Sequence, residues 1–140
     1  WGHVTGLDYS EVSCEQSRLA NTEPIAAGAM DVVCASVAKL PFEDASFDVV
    51  TTVESFYFWP DPEANLREVA RVVRPGGRFL LVADVYLHEG LDPDTLANIR
   101  KYDLTVLSPE GYEAAMLGAG FSSCRCHLSE EGWIAVEAQR

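Results

Sequence analysis

Positive charge is scarce in this chain. Lys and Arg total 10 against 22 for Asp and Glu, a net charge of −12, and such a surface repels phosphate backbones and anionic headgroups, so nucleic acid is not expected as a partner. Long apolar runs are missing too: none approaches the ~20 residues needed to cross a bilayer, and nothing at the amino end resembles a signal peptide, so no membrane contact and a cytoplasmic location are expected. Cysteine is sparse and scattered. Cys14, Cys34, Cys124 and Cys126 lack the dense spacing of a small secreted scaffold, and free thiols are expected. The run Cys124-Arg125-Cys126-His127 offers soft ligands, but a tetrahedral zinc site needs four and no second cluster is visible; two cysteines on one strand face is the plainer account, and no metal is expected. There is no initiator Met, and no repeat, linker or low-complexity stretch divides the chain, so 1–140 reads as one domain that starts mid-fold.

What is present reads as alternating strands and helices. At 48% hydrophobic residues over 140 positions, the chain can form a core, since a domain of this size buries roughly 68% of its unfolded surface. Trp1 to Leu7 reads as the later part of a strand. Glu11 to Asn21 follows as a helix capped by Ser10, with Val12, Gln16 and Leu19 on one face. Ala29 to Ala35 is a short buried strand, and Ser36 to Ser46 a loop. Phe47 to Val53 and Arg78 to Ala83 read as strands covered on both faces. Between them lies a helix capped by Asp61, opened by Pro62 and stopped by Pro75-Gly76-Gly77, which makes a right-handed crossover. Asp92-Pro93 opens a helix to about Lys101. Ser108-Pro109 opens another with Tyr112, Ala115, Met116 and Ala119 on its face, and with Gly118 and Gly120 supplying left-handed conformations at its end. Ser122 to Leu128 and Trp133 to Ala138 flank Ser129-Glu130-Glu131-Gly132 as an antiparallel hairpin. The fold class is α/β: a Rossmann-like, mostly parallel open sheet with helices on both faces and an antiparallel carboxy-terminal hairpin.

In such sheets ligands bind outside the carboxyl ends of the strands, which selects Asp8, Ser36 and Glu54. A carboxylate at Asp8 can accept from both hydroxyls of a ribose, or it can cap the following helix, although Ser10 is nearer the cap position. The loop from Ala35 to Phe42 carries small residues through which a backbone can approach a flat base, and it is equally an ordinary strand exit. Glu54 is followed by Ser55-Phe56-Tyr57-Phe58-Trp59-Pro60. Four consecutive aromatics there can rim a pocket for a cation or can bury core surface, and a mixed use, with two of the four buried, is expected.

Three stretches carry a family resemblance: Gly6-Leu7-Asp8-Tyr9-Ser10, Leu40-Pro41-Phe42-Glu43-Asp44-Ala45-Ser46-Phe47-Asp48-Val49-Val50, and Leu66 through Arg71-Val72-Val73-Arg74-Pro75-Gly76-Gly77-Arg78. In order and spacing they resemble the class I, type 11-like S-adenosylmethionine methyltransferases, and the segment Ser108-Pro109-Glu110 to Gly118-Ala119-Gly120-Phe121 is similar to that family's late helix and turn. The resemblance implies a seven-stranded sheet of order 3-2-1-4-5-7-6 and S-adenosylmethionine as cofactor. It places Asp8 on the ribose, Tyr9 beside the adenine, Ser36 and Val37 at the adenine edge, and Glu54 near the methionine end and the substrate. Tyr57 and Trp59 would border the pocket of a small-molecule acceptor, with Trp59 at the rim. Many members carry Gly-Asp where this chain has Ala35-Ser36; Ser still hydrogen-bonds an exocyclic amine, and Val37 still offers a backbone N–H. No residue is singled out as catalytic, since methyl transfer rests chiefly on alignment. The family's first strand and glycine-rich cofactor loop are absent from this chain, so it is expected to be part of a longer enzyme. That strand would lie between the one ending at Asp8 and Phe47 to Val53. An amino-terminal segment outside this chain, a second chain, or direct closure of the two flanking strands would have to fill its place. Self-association is left open. Two other functions fit the same pattern: a noncatalytic assembly subunit with a degenerate cofactor site, and a nicotinamide-dependent oxidoreductase, which also places an acid after its second strand.

Overall fold

The computed structural model describes residues 2–140; Trp1, the expected first residue of the opening strand, lies outside them. The chain divides into two compact units, Trp1–Pro41 and Phe42–Arg140.

The first unit runs β1 (Val4–Asp8), α1 (Glu11–Ala20), α2 (Thr22–Ala26) and β2 (Met30–Cys34). The strands pair in parallel from Val4↔Met30 to Asp8↔Cys34. Helix α1 starts where its cap permits: the Ser10 hydroxyl accepts from the Ser13 N–H at 3.3 Å, and the Asp8 carboxylate accepts from the Ser10 N–H at 2.8 Å. Its packing face corrects the sequence reading. Val12 and Leu19 are each 67% exposed, whereas Cys14 is fully buried. Small side chains at Ser13, Cys14 and Ser17 face inward instead, and they let the helix come close enough for the Cys14 thiol to donate to the carbonyls of Asp8, at 3.3 Å, and Val33, at 3.6 Å. The short helix α2 was not expected; Asn21 ends α1 with its amide donating to the Ser17 carbonyl at 2.8 Å, and the chain turns directly into the next helix.

The second unit runs β3 (Phe47–Val53), a 3-10 turn (Phe56–Phe58), α3 (Pro62–Val72), β4 (Val73–Ala83), α4 (Pro93–Lys101), α5 (Pro109–Gly118), β5 (Ser123–Leu128) and β6 (Ile134–Gln139). Its sheet has the order β3-β4-β6-β5. β3 and β4 are parallel, while β6 is antiparallel to both β4 and β5, the second pairing being the expected hairpin. Among the described residues two ladders are parallel and two antiparallel, the latter in the carboxy-terminal part, an α/β architecture with the expected antiparallel end.

Three local expectations are corrected. Helix α3 ends at Val72 and β4 begins at Val73, so Pro75-Gly76-Gly77 lies inside a strand and does not stop the helix. Phe47 pairs with Val73 and Val49 with Arg78, so the segment around these glycines bulges out of the ladder. Gly76 takes φ +78° there, and a Cβ on Gly77 would sit 2.8 Å from a Val73 methyl and 2.9 Å from the Asp48 carbonyl oxygen. Second, β3 is not covered on both faces: Val49 and Val53 are 55% and 59% exposed. Third, Gly118 remains helical, and Gly120 alone takes the left-handed turn after α5.

Nearly all the buried apolar residues belong to the second unit. Leu66, Val69 and Val72 from α3 are buried, as are Phe79 and Leu81 from β4, Tyr112 and Met116 from α5, and Ile134, Val136 and Ala138 from β6. The alternating burial along β4 and β6 is what a sheet with one fully covered face produces. No helix among the described residues is long and apolar enough to cross a membrane.

Candidate functional site

In the first unit the carboxyl ends of β1 and β2 form one edge. Register holds them level: Asp8 pairs with Cys34, and the Ala35 N–H donates to the Asp8 carbonyl at 3.0 Å. This edge gathers Asp8, Tyr9, Ser36 and Val37, four of the residues singled out in the sequence. Asp8 is half-buried, and one of its carboxylate oxygens holds the Ser10 N–H, so helix entry and ligand binding need not compete for the same atom. Tyr9 is 82% exposed, which leaves its ring face open to stack on a flat group. The Ser36 hydroxyl accepts from the Ala38 N–H at 3.2 Å, and its carbonyl accepts from the Lys39 N–H at 3.1 Å, so the loop leaves β2 as a tight turn. A carboxylate that accepts hydrogen bonds beside an open aromatic ring that can stack fits the hydroxyls of a ribose and the face of a base.

In the second unit the carboxyl ends of β3 and β4 form another edge, organised by Glu54. Its backbone is left-handed at φ +54°, a conformation that costs a non-glycine residue roughly 1–2 kcal/mol. Three hydrogen bonds hold it there. The Glu54 N–H donates to the Val82 carbonyl at 3.0 Å, one carboxylate oxygen accepts from the Asp84 N–H at 2.7 Å, and the other accepts from the Tyr57 hydroxyl at 2.7 Å. Thr52 and Ser55 join their hydroxyls alongside. Burial and the Glu54 carboxylate push the Tyr57 phenol above its usual range, so it remains a neutral donor.

The aromatic run divides as anticipated. Phe56 and Tyr57 are buried at 1% and 8% exposure. Trp59, expected at the rim, packs its ring against Phe56 at 5.2 Å and Phe79 at 6.5 Å, while Phe58 is the aromatic that projects, at 67% exposure.

Sequence reasoning missed Asp84, whose N–H anchors Glu54 and whose side chain is exposed just past the end of β4. The strand-end rule that selected Asp8 and Glu54 would have found it had the rule been extended to the strand ending at Ala83. The stretch beyond it brings Tyr86 and His88 together, ring centroids 4.8 Å apart, with the Gly90 N–H donating to His88 Nδ1 at 3.2 Å. On the far edge of this sheet the Cys126 thiol donates to the Pro109 carbonyl at 3.4 Å, and burial pushes it up to about 12. Among the described residues no three His, Cys, Asp or Glu side chains are grouped to hold a metal ion.

The methyltransferase domain family matches residues 1–81. An O-methyltransferase of Aspergillus nomiae is 34% identical over 110 residues, covering 78% of this chain and 48% of that protein. The 27-O-demethylrifamycin SV methyltransferase of Amycolatopsis mediterranei is 38% identical over 125 residues, covering 84% of this chain and 44% of the relative. The chain thus spans about half the length of the curated relatives it matches. A solved SAM-dependent methyltransferase from Aquifex aeolicus covers 99% of this chain, and 69% of its own, with a TM-score of 0.76 at 17% identity, a likeness of fold.

Proposed function

Because this chain belongs to the methyltransferase domain family, the class I S-adenosylmethionine-dependent methyltransferases, we propose that it supplies the nucleoside-binding and acceptor-facing parts of an enzyme that methylates a small molecule. The observation that carries this reading is the assembly of Asp8, Tyr9, Ser36 and Val37 on one strand-end edge, with one Asp8 oxygen engaged by Ser10 and the carboxylate only half-buried. Asp8 would accept from the ribose hydroxyls, Tyr9 would cover the adenine, and Ser36 and Val37 would meet its edge. Glu54 would serve the methionine end, with Tyr57 and Trp59 beside the acceptor. When bound, S-adenosylmethionine supplies an electrophilic methyl group on a sulfonium.

The chain's own contribution is alignment. In-line attack needs the nucleophile held against the methyl, and prepaid orientation is worth roughly 7–11 kcal/mol in favourable cases, so no fixed base is required. The Glu54 clasp fits this role because both carboxylate oxygens are tied to neighbouring groups and the strand ends cannot drift independently. The names of the two relatives described above point to oxygen acceptors for those proteins. The matched residues run through both compact units, which supports reading 1–140 as one domain.

Calorimetry with S-adenosylhomocysteine on the whole protein tests the assignment. Replacing Asp8 with Ala is expected to weaken binding by about 1.5–3 kcal/mol, the scale of a charge-assisted hydrogen-bond pair; unchanged affinity would remove Asp8 from the site.

A further inference from the structure

Cys14 and Cys34 come from different elements yet meet at the end of the β1–β2 sheet. The Cys14 thiol, in the first turns of α1, reaches the carbonyls of Asp8 and Val33, and the Cys34 thiol reaches the carbonyl of Tyr9 at 3.7 Å. The two sulfurs are thereby drawn onto consecutive carbonyls of one strand end, where the strand register sets Asp8 opposite Cys34. Their exposures are opposite. Cys14 is fully buried, whereas Cys34 is exposed and borders an open hollow of about 570 Å³ shared with Glu11, Val12, Glu15, Gln16 and Arg18. A small oxidant can therefore reach one thiol of the pair while its partner waits behind it, an arrangement suited to an attacked and a resolving cysteine.

We propose that Cys14 and Cys34 are a modification site: a hydroperoxide oxidises Cys34, and Cys14 resolves the product to an intramolecular disulfide. In the first step the Cys34 sulfur attacks the terminal peroxide oxygen. The O–O bond breaks, the thiol proton leaves with the departing alcohol or water, and a sulfenic acid remains. In the second, the Cys14 sulfur attacks the Cys34 sulfur, the S–O bond breaks, and the hydroxyl leaves with the Cys14 proton as water. Two thiols are oxidised by two electrons and one peroxide is reduced. Partial desolvation and the neighbouring Cys14 raise the Cys34 thiol above its usual range, so little thiolate is present near neutral pH, and the oxidation is slow there and speeds up as pH climbs.

The bond would tie the first turns of α1 to the end of β2 and withdraw the Cys14 hydrogen bond from the Asp8 carbonyl. Its consequence for cofactor binding rests on the proposed function, whereas its formation does not. The pair on β5 provides an internal comparison. Cys124 and Cys126 stand two apart on one extended strand, where Cα atoms lie roughly 6.6 Å apart, at the upper end of disulfide spacing.

The test treats the whole protein with hydrogen peroxide, blocks remaining thiols, and maps peptides without reductant. The expected result is loss of two thiols, a mass change of about −2 Da, and one linked pair joining Cys14 to Cys34, reversed by dithiothreitol. Cys34→Ser, at an exposed position, should keep the native circular dichroism spectrum and lose the link. A link through Cys124 or Cys126, stable sulfinic acid at Cys34 with Cys14 still reduced, or undiminished thiol loss in Cys34→Ser would each overturn the proposal. No cofactor or acceptor is present in this experiment, so its failure leaves the methyl-transfer reading standing.

Discussion

The two compact units are built from the same kinds of element but bury very different surfaces. Residues 2–41 make a two-stranded parallel sheet whose helix shows its larger apolar residues to solvent and keeps small polar ones and Cys14 inside. Residues 42–140 make a four-stranded sheet whose β4 and β6 alternate buried and open positions, with Leu66, Tyr112 and Met116 fully covered. A two-stranded sheet is marginal by itself in water. The difference teaches that the stability of this chain and the proposed nucleoside edge are assigned to different residues. The second unit holds the core, and the first presents the Asp8 carboxylate proposed for the ribose and the open tyrosine ring.

The largest expected effect lies in the second unit. Phe79 is fully buried and stacks on Phe121 at 5.8 Å and Trp59 at 6.5 Å, so Phe79→Ala should lower stability by about 3–5 kcal/mol in urea unfolding. A loss under ~1 kcal/mol, the size of an ordinary substitution, would mean that the core is not where burial places it.

A second prediction sharpens the contrast through pH. Burial pushes the Tyr112 phenol up to about 12, with the Leu107 backbone opposing it and the Glu54 carboxylate adding to it. The unfolded value is about 10. A raised folded pKa means that the neutral phenol is favoured in the fold, so this stability is fully present below about pH 10 and is lost as pH rises toward the folded value. Urea midpoints should fall over that window, and Tyr112→Phe should flatten the fall. An unchanged slope in the variant would assign the effect to another group.

The smallest expected effect belongs to the first unit. Leu19 sits on the expected apolar face of α1 but is 67% exposed. Leu19→Gln should therefore change the unfolding midpoint by no more than about ±0.5 kcal/mol-equivalent. A loss comparable to that at Phe79 would show that a surface covers α1 in solution and would collapse the distinction between the units.

The features legible in the sequence are those set within a few residues. Ser10, Asp61, Asp92 and Ser108 each accept an N–H from the first turn of the helix they open, as their residue types and the following prolines at three of the four suggested. The hairpin of β5 and β6 followed from two short strands flanking a turn sequence. The strand-end acids Asp8 and Glu54 were legible because a carboxylate directly after a β-branched or apolar run is conspicuous. The inward face of α1 was not legible, because helical periodicity reports where large apolar residues recur, and here close packing uses Ser13, Cys14 and Ser17 instead.

By itself, then, the sequence determined the α/β element order, the helix starts, and the family to which residues 1–81 belong, because caps, turns and spacing act over short stretches of chain. Tertiary structure alone decided that β4 begins at Val73 and bulges through Gly76-Gly77, that Glu54 clasps Asp84 and Tyr57, and that the Cys14 and Cys34 thiols reach the consecutive carbonyls of Asp8 and Tyr9. Each of these joins groups from separate strands, helices or turns, and such contacts are fixed by register and packing that no local pattern encodes.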